Sequence, residues 1–161
     1  MNRRWVVNAS PLIVLAKITQ IHLLSELCGD IIVPNGVVAE INVAPDDDPA
    51  KLWMVNEGAR WIRDVEQVDP VIAAWDLGLG ESHVLTWAYQ HLGYQAILDD
   101  RAAKTAALAL RIPVRGTLGV ILLAKQEGKI TAAKPLFDQL VQAGLRVSAE
   151  ILEAALRLVD E

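Results

Sequence analysis

The sequence predicts an α/β fold, a central and mainly parallel sheet flanked by helices, and three observations predict it. Hydrophobic residues make up 53% of the 161 residues but aromatics only 5%, so Leu, Ile, Val and Ala carry the apolar content, the usual material of a sheet buried on both faces. Short apolar runs such as Trp5-Val6-Val7, Ile31-Ile32-Val33 and Gln95-Ala96-Ile97-Leu98 alternate with longer segments whose apolar residues recur at helical spacing. Helix-start and turn residues stand at the junctions, which suits right-handed βαβ crossovers. The length is that of one domain with a full core. The expectation is therefore a single domain over 1–161, with C-terminal helices from about 132 packed on it.

The first strand is Trp5 to Val7. In the turn Asn8-Ala9-Ser10-Pro11, Ser10 is expected as the N-cap and Pro11 as the first helical residue, where its missing N–H costs nothing. Leu12, Ile13, Leu15, Ala16 and Ile18 give that helix its apolar stripe, and Asn8 falls at the strand's C-terminal end. A second short helical segment, Ile21 to Leu27, ends near Gly29, and the strand Ile31 to Val33 is stopped by Pro34. Residues 35–43 read as helix, with Val37, Val38 and Ile41 on the apolar face and Glu40 beside it. Ala44-Pro45-Asp46-Asp47-Asp48-Pro49 is a loop, because two prolines flank three acids. A helix over about 50–59, a short strand around Trp61 to Arg63 and a polar stretch to Pro70 follow. Gly78-Leu79-Gly80-Glu81 opens a helix that Gly93 closes, with Glu81 in its first turn. Gln95 to Leu98 is a strand ending at Asp99-Asp100, and 101–110 is an Ala-rich helix. Ile112 to Val114 is the last strand, Gly116-Thr117 leads into a helix through Lys125, and 132–143 and 149–159 are helices.

Several classes of protein are excluded. Cys28 is the only cysteine, which removes intrachain disulfides and cysteine zinc sites and suggests a reducing, cytoplasmic setting; Cys28 itself is expected to be buried. His22, His83 and His91 stand in no metal-ligand spacing and read as surface or helix-edge residues. Most of the five tryptophans read as core or dimer packing. No apolar run approaches the roughly 20 residues of a membrane span, and the N-terminus lacks a signal-peptide core. Gly78-x-Gly80 lacks the rest of a dinucleotide motif.

A net charge of -5 argues against a uniformly basic nucleic-acid surface. The charge is segregated, however: residues 101–146 carry 8 Lys/Arg against 2 Asp/Glu. Arg101, Lys104 and Arg115 are the cations expected to hold phosphates beside an acidic cluster, with solvated helix faces as the alternative reading.

In open α/β sheets ligands gather at the carboxyl ends of the strands. Glu40, Glu81, Asp99 and Asp100 are the acids next to strand ends or helix starts, with Asn8 and Ser10 nearby. Four carboxylates converging there would repel one another unless cations sat between them, and such an all-oxygen site suits Mg²⁺ or Mn²⁺. A pair of these ions can activate water and stabilise the leaving oxygen of a phosphodiester. Each residue also has a local alternative: a turn for Asn8, a cap for Ser10 and Asp100, the helix dipole for Glu81, and a solvated face for Glu40.

Five blocks carry a resemblance: Val7-Asn8-Ala9-Ser10-Pro11-Leu12-Ile13-Val14-Leu15-Ala16-Lys17, Ile32-Val33-Pro34-Asn35-Gly36-Val37-Val38-Ala39-Glu40-Ile41, Gly78-Leu79-Gly80-Glu81, Leu98-Asp99-Asp100-Arg101 and Gly116-Thr117-Leu118-Gly119-Val120. In this order the chain resembles the PIN-like family related to VapC toxins, over nearly its whole length. The resemblance implies a PIN-like three-layer sandwich and a Mg²⁺- or Mn²⁺-dependent ribonuclease, often a homodimeric toxin paired with a small antitoxin. It implies that Glu40, Glu81 and Asp100 are the second, third and fourth acids, that Asp99 is a neighbouring ligand or orienting group, and that Ser10 is the small hydroxyl near the first acid. Asn8 stands where such nucleases have their first aspartate. An amide oxygen can ligate a hard cation but brings no charge, so Mg²⁺ affinity should fall.

Two functions follow as expectations. One is a metal-dependent endoribonuclease; the other is a catalytically weakened or inactive module that keeps the scaffold and binds nucleic acid or antitoxin. A small-molecule phosphatase using the same acids has no distinguishing residue here.

Overall fold

The computed structural model describes residues 2–161. Five strands form one parallel sheet: β1 (Arg4–Val7), β2 (Asp30–Pro34), β3 (Ile62–Arg63), β4 (Gln95–Ile97) and β5 (Val114–Arg115), in the order β3-β2-β1-β4-β5. The chain starts in the middle of the sheet, builds outward to β3, then returns to the other side of β1. That reversal leaves the end of β1 between β2 and β4, the place where an open α/β sheet makes a crevice.

Ten helices connect and extend the strands: α1 (Ala9–Lys17), α2 (Leu23–Leu27), α3 (Asn35–Ile41), α4 (Pro49–Val55), α5 (Pro70–Ala73), α6 (Leu79–Gln90), α7 (Arg101–Ala109), α8 (Thr117–Gln126), α9 (Lys134–Gln142) and α10 (Ala149–Arg157). Helices α1, α3, α4 and α6 pack on one another, and α2, α8, α9 and α10 form a second contacting group. With the sheet they make the expected three-layer α/β sandwich. Trp5, Val6 and Val7 of β1 are fully buried, as are Leu12, Leu15, Val33, Leu85, Ile97 and Ile121 around them. The central strand is thus covered on both faces, which is why it reads as a continuous apolar run.

Local chemistry moves some boundaries. Helix α1 begins at Ala9, with Asn8 in extended conformation as the capping residue and no side-chain cap. Ser10 is therefore not the N-cap and Pro11 is not the first helical residue; both lie inside the first turn. The Asn8 N–H is still paired as a strand group, to Ile97 O at 2.9 Å, so the helix can start only after it. Pro11 at the third helical position is tolerated because the first-turn N–H groups have no intrahelical acceptor. Pro34 ends β2 as its last residue and caps α3 at once. The expected helix over 50–59 stops at Val55 and continues as a 3₁₀ turn, Gly58–Trp61. The polar stretch ends at Pro70 as expected, and the short α5 follows it at once, capped by Asp69.

The C-terminal helices are tied down by a carboxylate. Glu161 accepts hydrogen bonds from the first N–H groups of α9, Ala133 N at 2.7 Å and Lys134 N at 3.0 Å. These backbone donors, with Lys125 nearby, hold its carboxyl below the ordinary value.

Candidate active site

At the end of β1 the Asn8 side chain is 2% exposed, and its Oδ1 has no hydrogen-bond partner among the described residues. A buried amide oxygen without a donor costs on the order of 1–3 kcal/mol. Glu40, from the last turn of α3, and Glu81, from the first turn of α6, share one hollow of about 320 Å³ with Asn8 and Ser10, walled by Ile13 and Val14. Gly80 keeps the hollow open: a Cβ there would fall on Glu40 Oε1 and lie 2.9 Å from Asn8 Oδ1. Burial, and then the charge of Glu81, raise the Glu40 carboxyl above its ordinary value, with the Gly80 N–H pulling the other way.

A residue read from sequence as peripheral sets this spacing. His83 is not at the surface but 7% exposed, and its Nδ1 accepts the Gly36 N–H at 3.0 Å. Gly36 has no Cβ because one would lie 2.5 Å from His83 Nδ1. The contact brings α3 against α6 and so brings Glu40 towards Glu81. Burial lowers the His83 pKa, in keeping with a neutral ring that accepts at Nδ1. Nothing in the local sequence pairs two residues 47 apart. The other two histidines are at the surface as expected, His22 exposed and His91 lying on Trp87. Cys28 is buried.

Asp99 and Asp100, at the end of β4, line a second hollow of about 680 Å³ with Arg101, Lys104 and Gly116. Both Asp99 oxygens are taken by Thr117, Oδ1 by its N–H at 2.9 Å and Oδ2 by its hydroxyl at 2.5 Å. Thr117 is fully buried at the start of α8; in the sequence Gly116-Thr117 signals a helix start but no chemical role. Asp100 caps α7, its Oδ2 accepting from Ala103 N at 2.9 Å.

The acids therefore divide into two pairs, Glu40 with Glu81 and Asp99 with Asp100. Among the described residues no group of three or more His, Cys, Asp or Glu gathers at metal-ligating distances. The reason is visible in the partners: Thr117 draws Asp99 towards α8 and the α7 backbone draws Asp100. Of the three cations expected at the RNA, Arg101 and Lys104 line the second hollow. The Arg115 guanidinium is instead committed to Gln95 Oε1 and Gly119 O, each at 3.3 Å, and burial lowers its pKa.

Around Asn8 the donors are all oxygen: one buried neutral amide without a partner and two carboxylates. This set fits a hard divalent cation such as Mg²⁺ or Mn²⁺, which would give Asn8 Oδ1 its missing partner and offset the repulsion between Glu40 and Glu81. The family model that matches the chain is described as a PIN domain and covers residues 4–161. No curated protein matches it.

Proposed function

Since the chain belongs to the PIN-domain family, whose members are generally nucleases, we propose that it is a Mg²⁺- or Mn²⁺-dependent endoribonuclease of the VapC kind. The observation that carries this reading is the orphaned Asn8 Oδ1 beside the Glu40 carboxylate, held open by Gly80. Asn8, Glu40 and Glu81 are the residues that would hold a cation, with Asp99 and Asp100 one strand further along the same sheet edge.

Bound there, a divalent cation supplies positive charge for the scissile phosphate and for activation of the attacking water. Glu40 and Glu81, whose proximity helps raise the Glu40 carboxyl above its ordinary value, would supply the negative charge that holds the cation. Asp99, immobilised by Thr117, orients rather than moves. Ser10 stays on the rim of the first hollow, supporting the ligands. Arg101 and Lys104 hold RNA phosphates beside the acids. The proposed setting is the cytoplasm, as the toxin of a toxin–antitoxin pair, with RNA as substrate, a small antitoxin as partner and a homodimer as assembly. No helix among the described residues is long and apolar enough to cross a membrane.

One observation favours a second reading. Asn8 contributes no charge, and the two acid pairs stand apart, an arrangement that suits a weakened or inactive PIN scaffold binding nucleic acid or antitoxin. The deciding experiment incubates the purified chain with RNA and Mn²⁺ beside Asp100→Asn, which keeps a capping oxygen for α7 and removes only the charge. Cleavage by the native chain alone supports the nuclease; equal cleavage by both points to contamination; no cleavage by either favours the binding module.

A further inference from the structure

We infer that the hollow beside Asp99 and Asp100 is a subsite for one unpaired nucleotide of the RNA, and that Leu145, Val147 and Ile151 form its base-contacting wall. The inference rests on the nuclease reading above and adds to it a residue, Arg146, and an apolar wall for the base.

Charge points first to the ligand. Arg101, Lys104 and Arg146 line this one hollow, and none of them makes a salt bridge among the described residues, whereas Arg3, Arg4, Lys51, Lys125 and Lys134 each do. The nearest acids are otherwise engaged: Asp99 spends both oxygens on Thr117 and Asp100 spends one on the α7 backbone. Three cations and two carboxylates line the cavity and no salt bridge joins them, which leaves guanidinium and ammonium groups with donors free for phosphates. Gly116 leaves room for them, since a Cβ would lie 3.2 Å from Lys104 Nζ and 3.1 Å from Asp99 Oδ1.

A phosphate alone would not need the rest of the lining. Leu118, Leu145, Val147 and Ile151 give the hollow an apolar side, and Ile151 is 56% exposed there. Local structure puts them in place. Gly144 takes φ 112° after α9, and its neighbour Leu145 N bonds back to Leu140 O at 3.0 Å, which turns the chain across the hollow. Ser148 then caps α10 through Ile151 N at 3.2 Å and sets Ile151 in the first turn. Cations on one side and aliphatic side chains on the other fit a nucleotide, phosphate to the first and base to the second. The volume, about 680 Å³, lies within the roughly 300–1,000 Å³ of small-ligand pockets. A concave site of this kind takes a base only when it is unstacked and unpaired, which a duplex does not offer.

The test is fluorescence anisotropy with the full chain in EDTA, so that binding is read without cleavage. The probes are a short labelled single-stranded RNA, the same strand with abasic residues, and the strand annealed to its complement, with a free nucleoside monophosphate as competitor. The native chain should prefer the base-bearing single strand to the other two. Arg146→Ala, on an exposed loop, should weaken binding about fivefold and flatten the log-log salt slope by about 0.7, one phosphate contact. Ile151→Asp should erase the difference between base-bearing and abasic strands. Equal affinity and salt slope for Arg146→Ala and the native chain would overturn the subsite, as would a mononucleotide that competes as well as the strand. RNA bound in EDTA but never cleaved in Mn²⁺ would remove the nuclease reading and keep the subsite. Cleavage with an unchanged Arg146→Ala affinity would do the reverse.

Discussion

Asp99 and Thr117 are joined twice, the carboxylate taking the backbone N–H at 2.9 Å through one oxygen and the hydroxyl at 2.5 Å through the other. This double bond of contacts links the end of β4 to the start of α8 and fixes the direction of an acid at the site. Thr117 is fully buried, so water cannot replace its hydroxyl. Thr117→Val keeps the shape and removes the hydroxyl donor. Its expected cost is about 1–2 kcal/mol of stability, read from urea denaturation, with a loss of RNA cleavage that Thr117→Ser does not share. A valine variant as stable and as active as the native chain would show that Asp99 needs no such anchor.

Gly80→Ala separates site from fold. Alanine in the first turn of α6 should favour the helix by roughly 0.5–1 kcal/mol, and it meets the far end of the Glu40 side chain, which can swing away, and Asn8 Oδ1 at 2.9 Å, which has to shift slightly. Thermal stability should therefore hold or rise while Mn²⁺ binding and cleavage fall. A variant that keeps its full Mn²⁺ affinity would mean that the Glu40 position beside Asn8 is not used.

Asn8→Asp adds a third carboxylate to the hollow of Glu40 and Glu81. Without metal the three charges repel, and the melting temperature in EDTA should drop below that of the native chain. In Mn²⁺ the order should reverse, because the added charge raises affinity and bound ligand stabilises the folded state by mass action. Identical Mn²⁺-induced shifts in the two proteins would remove the weight placed on this amide.

His83 predicts a pH dependence. Burial holds its folded pKa below the ordinary value, so below about 6.5 the unfolded chain takes up a proton that the folded chain refuses. The stability associated with neutral His83 is fully present above that pH and is lost as pH falls towards the lower folded value. Protonation at Nδ1 would also expel the Gly36 N–H. Urea midpoints measured from pH 7.5 down to 5.5 should fall more steeply for the native chain than for His83→Gln. Parallel curves would assign the effect to other groups.

Much of the fold was legible because its signals are local. The apolar run Trp5 to Val7, the helical stripe from Leu12 to Ile18 and the double glycine before Glu81 each depend on residues a few positions apart, and strand and helix periods are set on that scale. The placement of Asn8, Asp99 and Asp100 at strand ends follows from the same reading. Even there, the local pattern points to Ser10 rather than Asn8 as the N-cap, because sequence does not show that the Asn8 N–H is still bonded to a neighbouring strand.

What the sequence by itself determined is the alternation of strand and helix and the set of residues delivered to the carboxyl edge of the sheet. Only the tertiary structure decided which of them meet. Glu40 and Glu81 share a hollow because Gly36 receives the His83 ring, and Asp99 leaves them for Thr117, while Arg115 turns to Gln95 and Gly119. The physical reason is range: a helix or strand is specified by neighbours in sequence, but a buried carboxylate or imidazole points to whichever distant donor or acceptor satisfies it, and that partner exists only once the sheet has assembled.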